Sequence, residues 1–466
     1  MNNTPYTIAG NAQSGAPSLE SCVGPGPKIP IKHVFLIVLE NKSFDTTFAP
    51  GSNLRMLAAH GVLLTNYWGI GHNSLDNYIA MISGQAPNPV TQMDCPVFVD
   101  IRNPNEIKNR LEAATDRLFQ SVEGQGDQAE AKTIAKTSRL LDAEKSVVPR
   151  QTVPDLEAGA GCIYPADVRT IADQLEDATP GQGWRAYMEG MKRPCEHTEL
   201  GHIDKSTLPF FSNPSDAGHY TQRHNPFVYF RSLIGRGEHD LHGSCDQFDR
   251  PLGDLDGTTN GLARDLKNND VPRFVFISPN LCNDGHSDCS HPMEKDPARK
   301  RADEISAIEN FVPRLVALIE NSDAYRNGGM IVITFDEAEI PTTLQTIPFL
   351  PEDEEHDDDP NPSPDWARAC CDEQPGPKWK NPGLWGPGGG KVGAIVISPF
   401  IRPGSVDDSH AYNHYSLLRT LEDLFDLRGR GGATVEHLGY AAQNGLNTFQ
   451  ACGLFNNLPQ NSQPAL

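Results

Sequence analysis

Five continuous apolar runs stand at wide intervals along the chain: HVFLIVLE from His33, then VLLTNYW, FVFISP, MIVITF and VGAIVIS. An unbroken apolar run of this length is typical of a strand that is buried on both faces. Segments with helical periodicity separate the runs: SLDNYIAMIS, VRTIADQLEDA, ISAIENFVPRLVALIE and HYSLLRTLEDLF. This alternation predicts an α/β fold with a mostly parallel central sheet and helices on both faces.

The segments outside these elements differ in composition and suggest a domain organisation. Residues 1–28 are polar and rich in Gly, Pro and Ser, which predicts an extended N-terminal arm. We expect one large domain over 29–430, followed by a C-terminal tail over 431–466. Within the domain, 104–150 is rich in Ala, Lys, Glu and Gln and predicts a helical surface insertion. Residues 190–260 are rich in His, Pro and Asp and predict an irregular cap over the sheet.

The charge balance limits the partners that the chain can bind. It has 39 Lys and Arg against 61 Asp and Glu, a formal net charge of −22. Such a field repels nucleic acids and anionic membranes. No run approaches the roughly 18 apolar residues of a membrane span. We therefore expect a small-molecule substrate, and a phosphorylated one would need a local cation to draw it in. The sequence leaves the oligomeric state open.

The ten cysteines are even in number and scattered, without a CxxC pair. This pattern disfavours a zinc ribbon and favours an oxidising compartment, so the chain is expected to be secreted or periplasmic. The first thirty residues show no signal-peptide pattern, and a cytosolic protein with buried thiols is the alternative. We predict three disulfides: Cys282–Cys289, Cys95–Cys162 and Cys195–Cys245.

Polar residues suited to chemistry follow the apolar runs. In open parallel sheets, ligands bind outside the carboxyl ends of the strands. A single acid after a strand would indicate only a helix cap, whereas five such strand ends together indicate a metal-assisted site. The residues concerned are Glu40 and Asn41, then His72 and Ser74, then Asn280, Asp284 and His286, then Asp336 and Glu337, and finally His410 and His414.

Ser74 opens the helical segment SLDNYIAMIS. Its side chain either caps that helix or acts as a nucleophile, because a helix N-terminus stabilises negative charge on an attacking oxygen. A divalent ion can activate the hydroxyl by lowering its pKa. His72, two residues earlier, is a candidate contact for a bound phosphate.

Two groups of residues offer metal ligands. Glu40, Asp336 and Glu337 supply hard oxygen donors. Asp284, His286 and His414 supply a mixed set, which would either hold a second ion or protonate a leaving group. His224 either lines the pocket or has a structural role.

Several motifs resemble a known family. HVFLIVLENKSFD resembles the opening signature of the bacterial phosphoesterase family, which contains acid phosphatases and phospholipases C. GHNSLDNYIAMISGQAPN, RHNPFVYF, PNLCNDGHSDC, ITFDEAE and GGGKVGAIVISPFIRPG are similar to its acid-phosphatase branch, over residues 31–428. The resemblance implies an alkaline-phosphatase-like fold and phosphoester hydrolysis through a phospho-enzyme.

The resemblance also assigns roles. Glu40 and Asn41 match a pair that binds metal and phosphate, and Ser74 matches the nucleophile. Asp336 and Glu337 match the pair that closes the metal site, while His286 and His414 match active-site histidines. Alkaline phosphatases have a histidine where this chain has Glu337, which favours a hard divalent ion over two zinc ions. DGHSD lacks the Asp-x-x-x-His spacing of those enzymes, so the number of ions, one or two, stays open.

Together these features predict a metal-dependent phosphatase acting on monoesters through a phosphoserine. One alternative is a phosphodiesterase of the phospholipase C type, which would need an apolar rim or a lipid-binding domain. The other is a catalytically silent binding protein of the same fold, which a missing nucleophile or a broken ligand set would reveal.

Overall fold

The computed structural model describes residues 20–22, 24, 26–88, 90–101, 161–204, 220–235, 243–257, 259–287, 289–290, 296–340, 366, 368–371, 388–427 and 437–458. The insertion expected over 104–150 lies outside these ranges, as does part of the expected cap. No helix in the described ranges is long and apolar enough to cross a bilayer.

An eight-stranded sheet forms the centre of the molecule, in the spatial order β5-β4-β6-β1-β7-β8-β2-β9. Among the described strands, only β8 runs antiparallel to its neighbours, so the prediction of a mostly parallel sheet is confirmed. The strands are β1 (His33–Leu39), β2 (Val62–Leu64), β4 (Trp184–Met188), β5 (Asp249–Pro251), β6 (Phe274–Ser278), β7 (Gly329–Phe335), β8 (Ala394–Ile397) and β9 (Ser405–Asp407).

Strand β1 lies between β6 and β7 and pairs with both in parallel. Every residue of β6 and β7 is buried, and β1 is buried except for its half-buried first residue, His33. A strand without an exposed side is covered on both faces of the sheet. The apolar runs HVFLIVLE, FVFISP and MIVITF therefore correspond to central strands, as predicted.

Ten helices of the described chain connect or cover the strands. The helix predicted from SLDNYIAMIS is α3, and its bounds match that segment. The helices are α1 (Phe44–Thr47), α2 (Asn53–Leu57), α3 (Ser74–Ser83), α4 (Ile171–Ala178), α5 (Arg231–Ile234), α6 (Cys245–Phe248), α7 (Gly261–Lys267), α8 (Pro297–Glu320), α9 (Asp323–Arg326) and α10 (His414–Leu424). Short 3₁₀ turns include Thr91–Met93 and Gln222–His224.

Two predicted elements differ from the structure. VLLTNYW is not one strand: β2 ends at Leu64, and β3 (Tyr67–Trp68) pairs with β10 (Tyr412–Asn413) in a separate two-stranded sheet. Because β3 precedes Ser74 and β10 directly precedes α10, this pairing brings the segment that leads to Ser74 close to α10. Strand β5 falls inside the expected cap, yet it joins the main sheet through β4. Its three residues are too few to show a period in the sequence.

All ten cysteines are paired. The structure confirms Cys95–Cys162, Cys195–Cys245 and Cys282–Cys289. It adds two bonds that the sequence did not predict: Cys22–Cys452, which joins residues 430 apart, and the adjacent pair Cys370–Cys371.

Candidate active site

The carboxyl ends of three neighbouring strands bring acidic residues together. Directly after β1, the Glu40 amide donates to the Asp284 carbonyl at 2.9 Å, and the Asp336 amide donates to the Leu39 carbonyl at 2.9 Å. Asn41 turns the chain in the left-handed region, with φ 47°, and its amide donates to Asp336 Oδ1 at 2.9 Å. The order β6-β1-β7 therefore places Asp284, Glu40 and Asp336 side by side.

Ser74 is the first residue of α3 and faces Glu40. Its Oγ donates to Glu40 Oε2 at 2.8 Å, and Asn41 Nδ2 donates to the same oxygen at 2.8 Å. The other carboxylate oxygen, Oε1, accepts a hydrogen bond from the Tyr78 hydroxyl at 2.6 Å. Asn73 occupies the cap position, at φ 76°. The Ser74 hydroxyl thus points into the acidic group.

Glu337 follows Asp336 but turns to a different set of neighbours. Its Oε2 lies 3.5 Å from His72 Nδ1 and 3.5 Å from Asn77 Nδ2. His72 Nε2 is 2.7 Å from the Trp366 carbonyl, so this nitrogen carries a proton. Burial lowers the pKa of His72 to about 4. The residue that the sequence placed at the phosphate is therefore a neutral histidine beside Glu337.

His224 lies between two of the acids. Its Nε2 is 3.3 Å from Glu40 Oε1, and its Nδ1 is 3.3 Å from Asp284 Oδ2. Ligand atoms of Glu40, His224 and Asp284 lie within 4.8 Å of one another. Three groups of residues in the described chain are spaced closely enough to hold a metal ion, and the other two include disulfide-bonded cysteines. The prediction from sequence grouped Asp284 with His286 and His414 instead. It did not include His224, because His224 lies in the expected cap, far from Asp284 along the chain.

His414 and His286 contact other partners. His414 Nε2 is 2.6 Å from the Asp336 carbonyl, and its Nδ1 is 3.2 Å from the Tyr67 hydroxyl. The imidazole of His286 lies near Arg223, with Nε2 3.1 Å from Nη2, and its Nδ1 is 3.0 Å from Ser287 Oγ. Sequence reasoning did not single out Arg223, although it stands directly before His224 in RHNPFVYF.

His410, the fifth strand-end candidate, lies apart from this group. Its Nδ1 is 2.9 Å from Asp407 Oδ1 at the end of β9. Asn413, three residues later, caps α10 by accepting from the Ser416 amide at 2.8 Å.

Burial and mutual repulsion perturb the acids. Burial raises the pKa of Glu40 well above its usual range, and Asp336 and Asp284 raise it further. The pKa of Glu337 is likewise raised by burial, then by Asp336 and Asp76. Burial raises the pKa of Asp336 to about 6. Carboxyl groups this close and this dry need protons or a cation.

Several buried polar atoms of the group lack a hydrogen-bond partner in the described chain: Asp284 Oδ2, Asp336 Oδ2 and both ring nitrogens of His224. Buried polar atoms are normally satisfied, so each such atom requires an explanation. All four are metal-ligand types, two carboxylate oxygens and two ring nitrogens. With Glu40 beside them the group has three carboxylates and one imidazole, and such an oxygen-rich set suits a hard divalent ion. The residues present therefore fit the ion that the sequence implied.

Comparison with known sequences agrees with these motifs. The profile of the phosphoesterase family matches residues 52–428. A probable acid phosphatase of Kluyveromyces lactis is 23% identical over 308 residues, which is 66% of this chain and 48% of that protein. A phosphate-repressible acid phosphatase of Penicillium chrysogenum is 24% identical over 303 residues, covering 65% of this chain and 47% of the relative. The chain thus spans about half the length of these relatives.

Solved structures with a similar arrangement include the PsFucS1 sulfatase from Pseudoalteromonas sp., with a TM-score of 0.43 at 13% identity, over 92% of this chain and 72% of that one. A Vibrio parahaemolyticus protein in the alkaline phosphatase superfamily has a TM-score of 0.39 at 12% identity, over 89% and 71%. With the family profile covering most of its length, the chain belongs to the phosphoesterase family.

Proposed function

We propose that this chain is a metal-dependent phosphoester hydrolase that acts on monoesters through a phosphoserine at Ser74. The observation that carries the proposal is the buried hydrogen bond from Ser74 Oγ to Glu40 Oε2. The Ser74 hydroxyl lies at a helix N-terminus and against a carboxylate that has several ligand-type neighbours, which supports its assignment as the nucleophile.

Two donor sets meet at Glu40. Its Oε2 faces Ser74 and Asn41, near Asp336, and its Oε1 faces His224, near Asp284. We propose that the first set holds a hard divalent ion and that the second set would hold the second ion, if there are two. When bound, such an ion lowers the pKa of the Ser74 hydroxyl and offsets the charge of the phosphoryl group.

The chain's own residues supply the rest of the reaction. The Ser74 proton leaves along the hydrogen bond to Glu40, while the Ser74 Oγ–P bond forms and the P–O bond of the ester breaks. The leaving alkoxide takes a proton from a water molecule to become the alcohol. The hydroxide that remains attacks the phosphoserine and releases phosphate, and Glu40 returns its proton to Ser74 Oγ, which restores the hydroxyl. Asn41 and Tyr78 hold the Glu40 carboxylate in place throughout.

The five disulfides support a further part of the proposal: the protein works in an oxidising compartment, secreted or periplasmic. The net charge of −22 and the polar site support a small phosphorylated substrate rather than a nucleic acid.

The test is hydrolysis of p-nitrophenyl phosphate and bis-p-nitrophenyl phosphate by wild type and Ser74→Ala, with metal content measured in both. We expect the monoester to be hydrolysed faster, and acid-quenched wild type to yield a phosphorylated Ser74 peptide. Ser74→Ala should lose at least about a thousandfold in kcat without a change in melting temperature. A variant that keeps more than about a tenth of wild-type kcat would refute the nucleophile. Faster hydrolysis of the diester would favour the phospholipase C type, and no hydrolysis would favour a silent binding protein.

A further inference from the structure

Arg223 is a buried guanidinium in a site dominated by acids. It is 5% exposed and belongs to the 3₁₀ turn Gln222–His224, so the turn that delivers His224 to Glu40 delivers Arg223 as well. An arginine stays charged at every physiological pH. A charged group this deeply buried requires compensating contacts, and those contacts locate it.

One route of side-chain contacts and one covalent route, through the next residue, connect Arg223 with Ser74. Arg223 Nε lies 3.7 Å from Asp94 Oδ2, and Asp94 Oδ1 accepts from the Leu75 amide at 3.0 Å, one residue after Ser74. The second route passes through the adjacent His224, which lies 3.3 Å from the carboxylate that accepts the Ser74 hydroxyl. The guanidinium is therefore beside the first turn of α3.

Three side chains orient the guanidinium. Nη1 donates to Thr221 Oγ1 at 3.1 Å, and Nε faces Asp94. Nη2 is 3.1 Å from His286 Nε2. Because an arginine can only donate, His286 must accept at Nε2, so its ring is neutral and its proton is on Nδ1. That proton points to Ser287 Oγ, at 3.0 Å. Disulfides flank this arrangement: Cys95 follows Asp94, and Cys282–Cys289 encloses His286.

The charge of Arg223 acts on two acids of the site, Glu40 and Asp284. Burial is the largest influence on the pKa of Glu40 and Asp284 and raises both, but Arg223 lowers both. The other permanent cation near Asp284, Lys42, is bound to the Gly285 carbonyl at 2.8 Å and to Glu304 at 3.2 Å. Lys42 is thus directed towards α8, whereas the contacts of Arg223 lead to Ser74.

We infer that Arg223 binds two peripheral oxygens of the phosphoryl group at Ser74 and thereby selects phosphomonoester dianions over diesters. The inference rests on the proposed function and names its substrate class. A guanidinium matches two oxygens of a phosphate with parallel hydrogen bonds. A monoester dianion offers three peripheral oxygens and two charges. A diester has one of these oxygens alkylated and carries one charge less. Removal of Arg223 should therefore lower kcat/KM less for a diester than for a monoester. His286, Thr221 and Asp94 act here as positioning residues.

The test compares Arg223→Gln and Arg223→Lys with wild type on p-nitrophenyl phosphate and bis-p-nitrophenyl phosphate. Arg223→Gln should lower kcat/KM for the monoester by about 100-fold, as for the loss of one preorganised donor, and for the diester by less than about tenfold. Arg223→Lys keeps the charge but loses the pair of parallel N–H donors. Its kcat/KM for the monoester should lie between those of wild type and Arg223→Gln. Arg314→Ala is the matched control, because Arg314 is exposed on α8 and pairs with Asp256; it should change neither rate.

A second readout does not depend on turnover. The dissociation constant of inorganic phosphate, measured by calorimetry on the metal-loaded proteins, should rise at least about tenfold in Arg223→Gln. An unchanged ratio of monoester to diester rates, or phosphate binding equal to that of wild type, would overturn the inference. If wild type hydrolyses neither ester, the proposed function fails, and the phosphate titration still decides the role of Arg223. Arg223→Lys serves the same comparison if Arg223→Gln does not fold.

Discussion

The Ser74 hydroxyl donates to Glu40 Oε2 at 2.8 Å while the Tyr78 hydroxyl donates to Oε1 of the same carboxylate at 2.6 Å. Both donors lie on α3, one turn apart, so a single helix positions the proposed nucleophile and also supports the residue proposed to accept its proton. Glu40 comes from the end of β1. The relative position of α3 and β1 therefore determines whether the Ser74 hydroxyl meets the Glu40 carboxylate.

This arrangement predicts different effects for two variants. Glu40→Gln should lower kcat by at least about 100-fold, since a carboxylate that accepts a proton in the transition state typically contributes that much. Tyr78→Phe removes one hydrogen bond to the same carboxylate and should cost about tenfold. Steady-state kinetics on p-nitrophenyl phosphate measure both. Equal losses in the two variants would contradict a proton-accepting role for Glu40.

Metal removal should affect stability as well as activity. In the metal-free protein burial raises the pKa values of Glu40, Asp284 and Asp336, and repulsion by Asp336 raises those of Glu40 and Asp284 further. A bound cation removes this repulsion and stabilises the fold by mass action. We expect chelation to abolish activity and lower the melting temperature, and added metal to restore both.

Asp336→Asn provides the complementary variant. It should bind metal much more weakly, and its metal-free form should melt at or slightly above the temperature of metal-free wild type, because one repelling charge is gone. Elemental analysis and thermal melts decide both points. Unchanged hydrolysis by protein shown to be metal-free would refute metal dependence.

The contacts of His286 favour a positioning role over leaving-group protonation. The sequence hypothesis gave that proton to His286 or His414, but His286 Nε2 faces Arg223 and His414 Nε2 faces the Asp336 carbonyl. A residue that only positions others affects all leaving groups alike. His286→Gln should therefore lower kcat/KM by the same factor for an aryl and an alkyl phosphomonoester. A far larger loss for the alkyl ester, whose leaving group is more basic, would restore the acid role.

A buried acid away from the site predicts a pH dependence of stability. Glu422 on α10 accepts from Gln174 Nε2 at 2.8 Å and from the Leu438 amide at 3.0 Å, and burial raises its pKa from 4.5 to about 8. The folded state therefore favours the protonated acid. Its contribution to the free energy of unfolding is fully present below pH 4.5 and is lost as the pH rises through about 8.

Glu422→Gln imitates the protonated acid and should remove this loss. Relative to wild type, it should be more stable at pH 9, by roughly 5 kcal/mol, and similar at pH 5. Urea unfolding at both pH values measures the difference. Glu199→Gln is the control, since that side chain is 87% exposed and should show no such change. If the difference in free energy of unfolding between Glu422→Gln and wild type is the same at pH 5 and at pH 9, the prediction is wrong.

The disulfides can be tested without substrate. Alkylation before reduction should label no cysteine, and alkylation after reduction should label all ten. A non-reduced digest analysed by mass spectrometry should contain cross-linked peptides for Cys22–Cys452, Cys95–Cys162 and Cys195–Cys245. Free thiols at these positions would also remove the support for an oxidising compartment.

The sequence was most informative where local pattern and position coincide. Glu40 and Asp336 directly follow two buried strands, and parallel strands must bring such residues to one edge of the sheet. Ser74 was marked instead by its position at the start of a helical segment. Arg223 and His224 follow no such run. They reach the site through the folding of a cap whose path depends on long-range contacts, and only the polar pair directly before the apolar NPFVYF marks them. The direction of a side chain could not be predicted from the sequence pattern either. Glu337 is adjacent to Asp336, yet its carboxylate faces His72.

The disulfide between Cys22 and Cys452, which are 430 residues apart, closes the polypeptide between them into a covalent ring. A single proteolytic cut anywhere inside this ring opens it without releasing a fragment. Nicked and intact protein therefore have the same mass, apart from one water, until the disulfide is reduced. Protease resistance of this protein must be judged on reducing gels, since a non-reducing gel would show one full-length band for molecules whose backbone has already been cut once.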